Sequence, residues 1–380
     1  MLPERESTPL SATASRVMIV DDSAVIRGLL SRILEASPDC EVVASAGNGQ
    51  NAVSALRRHD VDVVLLDIEM PVMDGLTAIP LLLEVCPTVK IIMVSTLTTK
   101  NAEIGLEALE RGAHDYIAKP TSNSDLTGES GFSGELLRKV VGLGDRARRD
   151  GTARPRHRPA AVPRNTPAPV KALHQGKEVT LRTNPIVYPK AIAIGSSTGG
   201  PKALTEVLAN IDKDIQQPIF ITQHMPPTFT AMLAQHLTKA AGRPCQEGVD
   251  GMRVLPGNIY LAPGGYHMTV SGNALSPTIA LNQDPPENFC RPSVDPMLRS
   301  IEAVYGPKVL IVILTGMGSD GQLGCKPLVE AGAVVIAQDE ATSTVWGMPG
   351  AVATAGLCNE VLPLSEIGKR ISQIAIGKRP

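Results

Sequence analysis

Two sets of polar residues in this chain stand where chemistry needs them, directly after short apolar runs. The first set is acidic. Asp21 and Asp22 follow "RVMIV", Asp67 follows "DVVLL", Ser95 and Thr96 follow "KIIMV", and Lys119 follows "DYIA". Carboxylates gathered at one place repel unless a cation lies among them, and oxygen-only ligands suit a hard ion such as Mg²⁺. A lysine and a hydroxyl beside them suit a phosphoryl group carried on one carboxylate. A single aspartate after a strand needs no more explanation than a helix cap. Five such positions, each at a strand end, do.

The second set begins at "AIAIGSSTGGP", Ala191 to Pro201. This turn lacks the lysine of GxxxxGK[ST] and the spacing of GxGxxG, so a nucleotide is a poor fit. A hydroxyl exposed on a sharp strand-to-helix turn is the better reading, with Ser196 and Ser197 as candidates. A serine nucleophile needs a base. The C-terminal half has three histidines. His224 directly follows the apolar run "IFITQ", His236 reads as a mid-helix surface residue, and His267, after a Gly-Gly turn, stays open. Asp320 ends "VLIVILTGMGSDG" and is placed to orient the base. The order Ser, His, Asp differs from the Ser, acid, His of α/β-hydrolases, so that fold is a poor template.

The elements that position these residues alternate between apolar strands and amphipathic helices. Strands are expected at 16–20, 62–66, 90–94 and 115–119, with a helix over 24–36. The pattern resumes with strands at 191–195, 218–222, 309–314 and 333–337. Buried runs alternating with helices predict parallel sheets, with ligands at the carboxyl ends of the strands. Turn signals over 253–281 read as hairpins inserted in the second unit. The fold class is therefore α/β with two doubly wound parallel-sheet domains. Residues 1–15 are expected to be disordered and 16–142 to form the first domain. Residues 143–187, rich in Arg and Pro, are expected to be a flexible linker, and 188–376 the second domain.

Bulk composition narrows the function. The net charge of −2 over 380 residues gives no global reason to expect nucleic-acid binding. No apolar run is long enough to span a bilayer and no signal peptide opens the chain, so a cytoplasmic protein is expected. The six cysteines are scattered without a CxxC pair, which argues against a zinc site or disulfide framework.

Residues 16 to about 142 resemble a response-regulator receiver domain, which is flavodoxin-like. The resemblance implies that Asp67 is the phosphoacceptor, with a histidine kinase as donor. Asp22, Asp67 and the backbone carbonyl of Glu69 would bind Mg²⁺, assisted by Asp21. Ser95 and Lys119 would contact the phosphoryl group, and Tyr116 matches the aromatic switch position. From about 188 to 375, "IAIGSSTGGP", "ITQHMPP", "RPSVDPML", "VILTGMGSDG" and "GMPG" resemble the chemotaxis protein-glutamate methylesterase family, implying a Rossmann-like domain. That match selects Ser197 as nucleophile, His224 as base and Asp320 as orienting acid. Thr198 and the Met317 N–H would support the site, and the esterase would need no cofactor. The expected substrates are glutamate methyl esters and glutamines of methyl-accepting chemoreceptors. The unphosphorylated receiver would restrict access to the site. A phosphorylation-dependent binding module and a serine hydrolase of another substrate are the alternatives. Two positions depart from the family, Cys290 where relatives carry His and Gly350 where a basic residue is common. Neither is expected to touch the triad.

Overall fold

The computed structural model describes residues 13–96, 98–120, 131–151, 178–183 and 188–377. They fall into two compact units, each built on its own sheet. In chain order the first half contains β1 (Ser15–Val20), α1 (Ala24–Glu35), β2 (Cys40–Ala46), α2 (Gly49–Leu56) and β3 (Val63–Asp67). It continues with α3 (Gly75–Val85), β4 (Lys90–Ser95), α4 (Thr99–Glu110), β5 (Asp115–Ala118) and α5 (Phe132–Gly151). The strands pair in parallel in the order β2-β1-β3-β4-β5. β3 and β4 are buried along their whole length, which is why they are apolar on both faces.

The second half contains β6 (Ala191–Ser196), α6 (Gly200–Ala209), β7 (Ile219–Gln223), α7 (Phe229–Ala241), β8 (Cys245–Glu247) and β9 (Ile259–Leu261). Then come β10 (His267–Asn273), β11 (Ser276–Asn282), α8 (Val294–Tyr305), β12 (Val309–Ile313) and α9 (Gln322–Glu330). It ends with β13 (Val334–Gln338), α10 (Met348–Thr354), β14 (Glu360–Leu362) and α11 (Leu364–Ala375). Seven strands run parallel in the order β14-β13-β12-β6-β7-β9-β8. The region of turn signals holds one antiparallel hairpin, β10 and β11, and one strand, β9, that joins the main sheet instead. The core of this unit is filled by Ala, Ile, Leu, Val and Met, with Phe220 stacked on Tyr260 at 5.8 Å.

Two boundaries differ from the sequence reading. α5 continues through Gly151, because Leu143 and Ala147 are buried and Lys90 pairs with Asp150 at 2.7 Å. At the other side of the expected linker, the backbone N–H of Arg182 donates to the Cys358 carbonyl, and the Asn359 amide donates to the Thr183 carbonyl. Residues 178–183 therefore belong to the second unit. The rest of that linker, and residues 1–12, lie outside the described residues. Among the described residues no helix is long and apolar enough to cross a membrane.

Candidate active site

In each sheet the chain reverses its direction of winding at one crevice, and the polar residues collect there. In the first unit the crevice lies between β1 and β3. Asp21 Oδ1 accepts the Ser23 N–H at 2.8 Å, and Asp67 Oδ1 accepts the Ile68 N–H at 2.8 Å. The Lys119 ammonium lies 2.8 Å from Asp21 Oδ2 and 2.9 Å from Asp67 Oδ2. The Lys119 ammonium is the cation that these two buried oxygens share. Asp21, Asp22 and Asp67 each bring one carboxylate oxygen within 4.8 Å of the others. Three carboxylates with oxygens this close are the donor set a hard divalent cation takes, so the residues fit Mg²⁺. Burial pushes the Asp67 carboxyl up, against the pull of Lys119. Ser95 is buried at the end of β4, its carbonyl accepting the Lys119 N–H at 2.7 Å. Glu69 is exposed two residues past Asp67, and Tyr116 is buried on β5 with the Lys139 ammonium 5.3 Å from its ring centroid.

In the second unit β6 lies between β12 and β7, so the loops after these three strands meet at one edge. The ladder continues past the strands: His224 N–H donates to the Ser196 carbonyl and Ser197 N–H to the Thr315 carbonyl. Ser196 is committed inward, its hydroxyl donating to Gln223 Oε1 at 2.7 Å. The Gln223 amide in turn donates to the carbonyls of Ser197 and His224. A Cβ on Gly200 would lie 1.9 Å from Gln223 Oε1, so the second glycine of the motif makes room for this clamp. Ser197 is 9% exposed, and among the described residues its hydroxyl has no protein partner. Thr198 is buried, its carbonyl accepting the Thr315 hydroxyl at 2.9 Å.

His224 Nε2 lies 2.7 Å from Asp320 Oδ2. Asp320 is 1% exposed and accepts a dense set of donors. Its Oδ2 takes the Val294 N–H at 2.6 Å, and its Oδ1 takes the Asp295 and Gly321 N–H groups, the Ser293 hydroxyl and the Asn288 amide. The carboxylate thus sits on the N-terminus of α8, where free amides and the helix dipole favour negative charge. Burial opposes the charge, but His224 and these donors outweigh it and hold Asp320 below its ordinary value. Asp295, buried behind it, is pushed up to about 6 by burial and by the Asp320 charge. For His224 burial disfavours the charged ring, yet the Cys290 sulfur and the Asp320 carboxylate prevail and push it up to about 10.

The second ring nitrogen of His224 corrects one expectation. Cys290 Sγ lies 3.3 Å from His224 Nδ1, so this departure from the family does touch the triad. The turn that delivers it depends on contacts remote in sequence, which spacing does not reveal. Gly350 lies buried in the first turn of α10. His267, left open by the sequence, is structural. Its Nδ1 accepts the Ser293 N–H, and its Nε2 lies 3.2 Å from the Pro285 carbonyl. His236 lies half-buried in the middle of α7.

The turn after β12 is held by the Gly316 carbonyl, which accepts the N–H groups of Gly347 and Met348. Gly316 packs on Ser197 so closely that a Cβ would lie 2.8 Å from the Ser197 Cβ. Gly316 also forms a parallel bridge with Trp346, whose indole donates to the Gln338 carbonyl at 2.9 Å. Among the described residues the Met317 N–H has no protein acceptor, which leaves it free for a ligand. Asn288, Ser293, Asp295, Gln223, Thr315 and Gln338 were not legible as site residues. The one signal for three of them is the stretch "ENFCRPSVDP", polar residues just before a helix.

Comparisons with known proteins cover both halves. The profile of the family described as CheB methylesterase matches residues 192–371, and that of the response regulator receiver domain matches 17–129. A protein-glutamate methylesterase/protein-glutamine glutaminase of Azospirillum brasilense is 57% identical, across 95% of this chain and 92% of its own. One of the group 2 operon of Rhodospirillum centenum is 55% identical, across 95% of this chain and 94% of its own. Among solved structures, the Thermotoga maritima CheB methylesterase catalytic domain is 38% identical, covering 50% of this chain and 100% of its own, with a TM-score of 0.48. With relatives of more than half identity along nearly its full length, the chain belongs to the CheB family of protein-glutamate methylesterases/protein-glutamine glutaminases.

Proposed function

We propose that this protein is a phosphorylation-activated hydrolase that demethylates glutamate γ-methyl esters, and deamidates glutamines, on methyl-accepting chemoreceptors. The observation that supports the reading is the His224–Asp320 pair at the same sheet edge as the Ser197 turn, in a chain with methylesterase/glutaminase relatives along its length. Ser197 attacks the ester carbonyl while His224 takes its proton, and Asp320 orients the ring and balances its charge. The Met317 N–H, beside the nucleophile, receives the developing oxyanion, and Thr198 supports that turn. His224 then protonates the departing methanol, or ammonia from a glutamine. Water attacks the acyl-enzyme, releasing glutamate and restoring Ser197. The esterase half works without a cofactor in this reading.

The switch is Asp67. Its carboxylate oxygen attacks the phosphorus of a phosphohistidine on a chemotaxis kinase, so a P–O bond forms as the P–N bond breaks. Asp21, Asp22, Asp67 and the Glu69 carbonyl would hold Mg²⁺, which when bound offsets the negative charge gathered there. Lys119 pairs with the new phosphoryl group and the Ser95 hydroxyl donates to it.

The test is methanol release from methylated receptor membranes, with and without a small-molecule phosphodonor and Mg²⁺. Release that rises with the donor, keeps only its basal rate in Asp67→Ala and vanishes in Ser197→Ala is the expected result. Release indifferent to the donor removes the switch. No release under any condition removes the esterase and favours a binding role.

A further inference from the structure

His224 has two ring nitrogens and both are engaged, but only one partner suits the reaction. Nε2 is committed to Asp320 at 2.7 Å. A neutral ring that donates from Nε2 keeps one lone pair, on Nδ1, and that lone pair has to take the Ser197 proton. The group found there is the Cys290 sulfur, at 3.3 Å. With the ring protonated, as its raised value favours, Nδ1–H donates to the sulfur, and with the ring neutral the thiol S–H donates to Nδ1. Cys290 and Ser197 therefore compete for a single lone pair.

The placement of the thiol is built. Glu287 and Cys290 exchange backbone hydrogen bonds of 3.1 and 2.9 Å around a two-residue turn. The two residues between them, Asn288 and Phe289, have φ of 52° and 63°, a conformation that costs non-glycine residues and concentrates at functional sites. Asn288 ties the turn to Asp295 and Asp320, at 3.0 and 2.9 Å. Arg299 ties it to α8 through the Glu287 carboxylate, at 3.0 Å. Five side chains thus hold a strained turn whose last residue meets the base.

We propose that Cys290 is a positioning residue of this esterase: its thiol holds His224 Nδ1 in the resting site, and the ring must release it before Ser197 is activated. The inference rests on the proposed role of Ser197 and His224. The titratable groups in contact with the ring are Asp320 after β12 and Cys290 on the turn; behind them Asp295 on α8 meets Asp320, Glu287 on the turn pairs with Arg299 on α8, and His267 is held away on Ser293. Of these only Cys290 sits on Nδ1. Its sulfur favours the protonated ring, which is useless as a base.

The experiment uses the full-length protein and its Cys290→Ala variant, with unfolding temperature as the check on folding. Two readouts are taken: the pH profile of methanol release, and the titration of the His224 ring followed by nitrogen NMR. In Cys290→Ala the His224 midpoint is expected to fall by roughly one pH unit, and kcat at pH 7 to rise about threefold or more with KM unmoved. A His224 titration unchanged in the variant overturns the proposal. So does a loss of kcat at every pH with KM raised, which is the mark of a merely supporting turn. If neither protein releases methanol but the His224 midpoint falls, the contact stands and the esterase reading fails.

Discussion

At the scale of single residues, Asp320 does two things with one carboxylate. It orients His224 and it closes the N-terminus of α8. Asp320→Asn keeps the shape but offers an amide where an acceptor is needed. Its kcat should fall by roughly 10⁴-fold, as expected when the base is held in the wrong tautomer. Thermal unfolding should show a cost of about 2–3 kcal/mol, the penalty for buried donors left without a partner. The pH dependence has a definite sign. His224 is raised from 6.5 to about 10, so the folded state holds its proton longer than the unfolded state does. That stability is fully present below about pH 6.5 and is lost as pH rises toward 10. Asp320 is lowered from 3.8, so its contribution is present above that value and is lost as pH falls below it. The unfolding temperature of the second unit should therefore decline from pH 6.5 to 10, and His224→Gln should flatten that decline. A decline of undiminished slope in His224→Gln would assign it to other groups.

At the scale of elements, parallel pairing does the gathering. The serine turn, His224 and Asp320 were legible because each follows a buried strand and adjacent parallel strands end at one edge, while the choice of Ser197 over Ser196 came from the family resemblance. The same logic brought Asp21, Asp22, Asp67, Ser95 and Lys119 together. What was not legible came from segments without period. Asn288, Cys290 and Ser293 reach the site on a turn fixed by Arg299 on the next helix and by His267 and Asp320, both far away in the chain. Strand β9 was hidden because three residues among prolines and glycines carry too little pattern to separate it from a hairpin. Helix α5 was cut short because its last turns are rich in Arg, whose stems and ion pairs still serve an amphipathic helix. Contacts between elements also set a limit at Gly316. A methyl group there would lie 2.4 Å from Met348 Sδ and 2.8 Å from the Ser197 Cβ. Gly316→Ala should cost about 1–3 kcal/mol by overpacking, and lower kcat more than KM rises. An unchanged kcat would show that the turn shifts without disturbing Ser197.

At the scale of the whole molecule, two sheets with separate cores carry two different chemistries, a phosphoryl switch and an acyl transfer. Each sheet has its own buried strands, so heat should unfold the protein in two transitions. Mg²⁺ with a phosphoryl mimic such as beryllofluoride should raise the transition of the unit that carries Asp67, since a ligand stabilises the state it binds. A transition of that unit unmoved by the mimic would count against Asp67 as its site. The sole tryptophan of the chain gives that experiment its detector. Trp346 stands in the second unit, bridged to Gly316 and bound through its indole to Gln338. Light absorbed at the red edge, where tyrosine is dark, is therefore emitted from one place only, beside the Gly316 turn that packs on Ser197. Without any label, the emission spectrum follows the esterase half alone, and whatever orders or loosens the turn at Met317 changes its colour.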